Sequence, residues 1–280
     1  MIRIGTSGFS FADWVGSVYP PGTKPSQMLS LYCGELGFDA LEINYTYYTM
    51  PSERSMMSLA RRLPDGFDVV VKAFKGMTHD PFDPRLETRP ATGDVKGYFA
   101  AFVRALEPLR REGKLGGVLL QFPVFFQPSG RSFGYLRDAK EWLGDIPVAV
   151  EFRARAWAND ETLSFLKENG LAYCAVDEPN LPRLMPFVGA VTSTMGYVRL
   201  HGRNPNWFNA PVAERYDYLY AEGELEGLAP SIRQMGSSAG TCYVFFNNCH
   251  RGSAAKNALA MKRILGLPVK KWEDVARGLF

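Results

Sequence analysis

The stretch DALEIN, residues 39–44, is patterned as a buried strand, yet it carries a carboxylate at Glu42 and an amide at Asn44. A buried ion without a partner is costly, so Glu42 must be paired or close to water. Side chains alternate along a strand, which puts Glu42 and Asn44 on one face and the aliphatic Leu41 and Ile43 on the other. Other β-rich runs show the same layout. Lys72 in DVVVKA, Gln121 in GGVLLQF, Glu151 and Arg153 in PVAVEFR, and Asp177 in LAYCAVD all read inward. So do Arg199, His201 and Arg203 in and after GYVRLHG, and Asn247 in TCYVFFNN. The polar members gather toward the C-terminal ends of their strands.

These residue types define a chemistry. Glu42, Lys72, Glu151 and Asp177 are the candidate catalytic groups. Two carboxylates across a pocket suit general acid/base work, and also glycoside cleavage. Lys72, placed among acids, reads first as an ion-pair partner of Glu42 on the adjacent strand. Desolvated, it would instead be a base or a Schiff-base amine. Arg153, Arg199 and Arg203 present forked donors that match phosphate or carboxylate, with Lys75 and His79 on the loop after the third strand. Asn44, Gln121, His201 and Asn247 would orient a substrate. Trp157 and Trp207 would offer planar surfaces, as would Phe9, Phe11, Trp14, Tyr45, Tyr47, Tyr48 and Phe208. Packed aromatic plugs are the competing reading for this set. The GTSG turn, residues 5–8, could add backbone N–H groups as an anion nest.

Other chemistries fit poorly. The chain has three His and no H-E-x-x-H or Cys/His cluster, so no protein-held metal is expected. A Mg²⁺ ion brought loosely by a phosphate group stays compatible. No phosphate-binding P-loop or dinucleotide fingerprint occurs. In GTSGF the second glycine comes one position too early for a nucleophile elbow. Cys249 and His250 are sequence neighbours, which rarely make a catalytic pair.

The elements that must position these groups follow from the pattern. Eight β-rich runs alternate with helical segments near residues 52–63, 94–112, 131–143, 161–169, 213–235 and 253–265. Such alternation implies a parallel sheet, and eight strands close an α/β barrel of the TIM type, (β/α)₈. A doubly wound open sheet is the alternative. The 280 residues show no composition break, which predicts one barrel domain over residues 1–280. A polar loop, residues 78–93, follows the third strand.

Bulk composition narrows the partners. The chain is 46% hydrophobic with a net charge of +3, weak evidence for an anionic partner such as nucleic acid. The four cysteines form no C-x-x-C pair and read as buried free thiols. There is no apolar leader and no run of about 18 apolar residues, so a soluble, cytoplasmic protein without membrane contact is expected. Nothing in the pattern speaks to oligomeric state.

Read together, IGTSGFSFADWVGSVYP, ALEINYTYYTMPS, FDVVVKAFKGMTHD, GGVLLQFP, VAVEFRARAW, YVRLHGR, VFFNN and KNALAMKRIL resemble the domain of unknown function 72, or YecE-like, family. The resemblance implies a TIM-type barrel and little about activity. The chain departs from the family pattern at Ala154 and Arg155, where a His and a Pro usually follow Glu-Phe-Arg, and at Phe9, usually Trp. Glu151, Arg153 and Trp157 match. The expected function is an enzyme acting by hydrolysis or lyase chemistry on a small phosphate-bearing substrate: a nucleotide, nucleic-acid end or sugar phosphate. A non-catalytic module for nucleic acid or an anionic metabolite, and a neutral-carbohydrate enzyme using Glu42 and Glu151, are the alternatives.

Overall fold

The structure, a computed structural model, describes residues 1–207 and 211–269. Eight strands run parallel and close in sequence order: β1 (Ile2–Ser7), β2 (Ala40–Ile43), β3 (Asp68–Lys72), β4 (Leu115–Gln121), β5 (Val148–Glu151), β6 (Ala172–Asp177), β7 (Met195–Leu200) and β8 (Thr241–Phe246). β8 pairs with β1, Gly5 opposite Phe245, and this pairing closes the barrel. The chain is therefore a (β/α)₈ barrel, not an open sheet.

The helices among the described residues are α1 (Pro25–Gly34), α2 (Glu53–Ala60), α3 (Lys75–Thr78), α4 (Thr92–Arg111), α5 (Gly130–Leu143), α6 (Asp160–Glu168), α7 (Val212–Arg215), α8 (Glu222–Ser238) and, after the last strand, α9 (Ser253–Leu265); the β6–β7 crossover carries none. Side-chain caps set several starts. Ser52 accepts from the Ser55 N–H, Ser129 from Ser132 and Asn159 from Thr162, each satisfying a donor the helix leaves unpaired.

Two helical expectations change. α1 occupies a Pro- and Gly-flanked stretch that shows little periodicity. The helix expected over 213–235 is two, because the chain between them is held extended. The Tyr220 N–H donates to Asn257 Oδ1 at 3.0 Å, and Asn257 Nδ2 donates back to Tyr220 O at 2.9 Å. A helical turn at Tyr220 could not offer both groups sideways.

Outward-facing aliphatics such as Leu41, Val71, Val150 and Val198 are fully buried under the helices. The interior is layered. At the N-terminal end Arg3 Nε pairs with Asp68 Oδ2 at 2.9 Å, and the Tyr243 hydroxyl donates to the same oxygen at 2.7 Å. Above them pack the rings of Tyr197, Tyr243 and Phe245. Gly5 is required in β1: a Cβ there would lie 2.0 Å from Ala40 O. No helix among the described residues is long and apolar enough to cross a membrane.

Candidate active site at the C-terminal mouth

Above the aromatic layer the interior turns ionic. Arg199 on β7 is 1% exposed and holds two carboxylates at once. Its Nη2 meets Glu42 Oε1 at 2.7 Å, and its Nη1 meets Glu151 Oε2 at 2.6 Å. Glu42 also accepts from Ser7 Oγ and from the Tyr197 hydroxyl, both at 2.6 Å. Glu151 Oε1 lies 2.6 Å from Arg153 Nε and 3.2 Å from His201 Nε2. Arg153 Nη1 reaches Glu178 Oε2 at 2.9 Å. The expected cluster of Glu42, Glu151, Arg153, Arg199 and His201 is therefore present.

Pairing decides the protonation states. Burial pushes the Glu151 carboxyl up, but Arg153 and Arg199 more than reverse this and hold it well below the usual carboxylate range. Burial, then the neighbouring Arg153, lowers His201 to about 3, so its ring is neutral at physiological pH. As placed, Asn247 Nδ2 sits 3.0 Å from His201 Nδ1. The ring's Nε2 lies between Glu151 Oε1 at 3.2 Å and Arg153 Nη2, a donor, at 3.1 Å.

Lys72 stands apart. It is not the partner of Glu42 that strand adjacency predicts, because Arg199 reaches that carboxylate from across the interior. Lys72 Nζ instead donates to Gln121 Oε1 at 2.8 Å and lies 4.6 Å from the centre of the Tyr47 ring. Gln121 Nε2 donates to Phe122 O at 3.0 Å, which turns its carbonyl oxygen to the lysine. Among the described residues no carboxylate lies within 4.0 Å of Nζ. Burial, then repulsion from Arg199, brings Lys72 down to about 7. His79 stands edge-on to the Tyr47 ring, and burial, then the Lys72 charge, lowers it to about 3.

Several expected site residues lie elsewhere. Asp177 does not face inward. Cys174 takes the inner face of β6, 4.0 Å from Glu151 Oε2, so Asp177 points to the helices. There it accepts from the Tyr220 hydroxyl at 2.6 Å and from Arg203 Nη2 at 2.7 Å. Arg203 leaves the interior because Gly202 turns the chain at φ +90°; its Nη1 pairs with Glu224 on α8 at 3.1 Å. Trp157 is fully buried, stacked 4.2 Å from Phe152, with its indole N–H on Phe126 O. It packs and offers no surface. Trp207 is 4% exposed against Tyr216 and the His201 ring. Phe208 lies outside the described residues.

The nest is also absent: the Gly8 N–H bonds Glu42 O, and the Thr6 N–H takes the Tyr32 hydroxyl. Cys249 and His250 form no pair. The thiol faces Ser7 O, burial raises its pKa, and the ring turns to Asp217 at 3.5 Å. Among the described residues no three His, Cys, Asp or Glu side chains group so as to hold a metal ion.

Sequence reasoning missed Ser7, Tyr197 and Glu178. Tyr197 has the parity of Arg199 and His201, so strand alternation alone would have found it. Over the mouth lies a cavity of ≈ 380 Å³ lined by Ser7, Phe11, Asn44, Tyr216, Asn247 and Cys249, among others. Asn44 Oδ1 is buried there without a hydrogen-bond partner.

These features define a TIM-type barrel whose ionisable groups are gathered at its C-terminal mouth, where barrel enzymes place their sites. The chain belongs to the family described as protein of unknown function DUF72, whose model matches residues 3–277. It is 32% identical over 284 residues to the UPF0759 protein YunF of Bacillus subtilis (strain 168), with 95% of each chain covered. A solved DUF72 family protein from Thermotoga maritima MSB8 is 42% identical with a TM-score of 0.86, covering 95% of this chain and 99% of that one. Another, from Enterococcus faecalis V583, is 28% identical with a TM-score of 0.82 and covers 96% of each.

Proposed function

We propose that this chain is an enzyme that binds a small anionic substrate at the C-terminal mouth and moves protons there with the Lys72 amine. One observation carries the reading. Lys72 is held by the neutral Gln121 amide, whereas Arg153 and Arg199 each already pair with two carboxylates among Glu42, Glu151 and Glu178. Among the described residues of this cluster, the cation without a carboxylate partner that an anion entering the mouth would meet is Lys72. A group titrating near 7 serves as acid in one step and base in the next. Hydrolysis or lyase-type cleavage of a phosphate-bearing substrate fits this arrangement. Glu42 and Glu151 act through Arg199 and are positioning groups. The same pairing leaves neither carboxylate free for cleavage of a neutral carbohydrate.

The test is thermal stabilisation by phosphorylated and carboxylated small molecules against their neutral counterparts, in wild type and Lys72→Met. A ligand that binds only the native state raises the melting temperature. Stabilisation by anionic compounds, lost in the variant, is the expected result. Equal stabilisation in both proteins, or none from any anion, would overturn the reading.

A further inference from the structure

We propose that Lys72 condenses with the carbonyl carbon of a small aldehyde or ketone to form an imine. The proposal rests on the reading of Lys72 as the working amine and adds the class of group it attacks.

Three features carry it. The first is the choice of partner. A carboxylate at hydrogen-bond distance would hold the lysine as an ammonium ion, which has no lone pair to give. Gln121 Oε1 accepts one N–H from a neutral amine as readily as from a charged one. Its orientation is fixed by the bond from its own Nε2 to Phe122 O. The second is the field. Burial disfavours the ammonium most and the Arg199 charge acts the same way, while Glu151 and Glu42 oppose them only in part. An ordinary lysine near 10.4 is neutral in roughly one molecule in a few thousand at pH 7, whereas a group titrating at that pH is half neutral. The third is place. Lys72 ends β3 at the C-terminal end of the barrel and the residue is partly exposed, so it is not sealed within the core.

The step balances without a co-reactant. The Nζ lone pair forms the C–N bond while the carbonyl π pair moves to oxygen. A proton passes from nitrogen to that oxygen, giving a carbinolamine. A second proton, taken from solvent, reaches the oxygen, the nitrogen lone pair expels it as water, and a protonated imine remains. That cation draws electrons from the adjacent carbon, the requirement of a lyase that breaks a bond one atom away.

The test is reductive trapping of the full chain near pH 7 with cyanoborohydride, using glycolaldehyde, pyruvate and dihydroxyacetone phosphate as carbonyl probes. Lactate and glycerol 3-phosphate are the matched controls without a carbonyl. The expected result is a mass increase equal to the carbonyl compound less one oxygen, mapped by peptide analysis to Lys72 at least tenfold above any other lysine. It should be absent with both controls and in Lys72→Arg. Peptide mapping of the wild type answers the question even if the variant does not fold. Trapping by none of the three probes, or trapping spread over surface lysines, would overturn the imine. Stabilisation by lactate or glycerol 3-phosphate alongside absent trapping would overturn it while leaving the anionic-substrate reading intact. Trapping at Lys72 without stabilisation by any anion would do the reverse.

Discussion

Arg199 Nη2 lies 2.7 Å from Glu42 Oε1, joining β7 to β2 through the barrel interior. The same guanidinium holds Glu151, so two strands on opposite sides of β7 depend on one cation. Removing it would leave Glu42 buried without a charge partner and Glu151 with Arg153 alone. Arg199→Met is expected to cost about 3–5 kcal/mol, read as a lower urea midpoint at constant slope. Adding Glu42→Gln to Arg199→Met should recover part of the loss. A cost under about 1 kcal/mol for the single variant would show that the pairing is not what holds this layer.

Lys72 gives the barrel a pH signature. Its folded-state pKa, about 7, lies below the unfolded value of 10.5. The unfolded chain therefore holds the extra proton between these values, and stability rises as pH climbs from about 7 toward 10.5. Below that window the penalty for burying the ammonium is fully present. Lys72→Met, which has no such penalty, should gain on the wild type as pH falls from 10 to 7 and hold a constant lead below. Denaturation of both proteins across this range checks it. A stability difference that does not vary with pH would mean that Lys72 titrates as an ordinary lysine.

Asp177 and Arg203 form a brace outside the barrel. Asp177→Asn would weaken its bonds to Arg203 and to the Tyr220 hydroxyl, with an expected cost of about 1–3 kcal/mol. Ligand-induced stabilisation at the mouth should be unchanged. A selective loss of that stabilisation in a folded variant would return Asp177 to the site.

Trp157 sits among Phe126, Phe133 and Phe152. Trp157→Ala is expected to cost about 3–5 kcal/mol. Trp157→Phe should keep the stack, lose only the indole bond to Phe126 O, and bind ligands as the wild type does. Calorimetric melting of both variants separates packing from recognition.

Strand alternation made much of this visible in the sequence. In ALEI and VAVE the acid is the only charged residue, so the face on which it lies fixes the phase of the whole strand. β6 breaks the rule, because its only charged residue, Asp177, is satisfied on the outer face by Tyr220 and Arg203. Its residues are buried on both faces, and the acids at 177 and 178 are adjacent, so one step of phase exchanges Asp177 for Glu178. Arg203 was lost to a single dihedral, since alternation cannot pass a glycine at positive φ. Trp157 lies in a short 3₁₀ turn, Arg155–Trp157, where strand parity has no meaning. The Lys72–Glu42 pairing failed for another reason: neighbours in a sheet are legible from sequence, whereas the long Arg199 side chain reaching across the interior is not.

The layer of Arg3, Asp68 and Tyr243 has a consequence for traffic. With the far end of the barrel occupied by these side chains and the rings above them, Lys72 is reached from one side only. Whatever arrives there must depart by the way it came, so under the proposed activity each cycle would need the product to clear the doorway before the next molecule enters. A product that lingers would then compete directly with its own precursor.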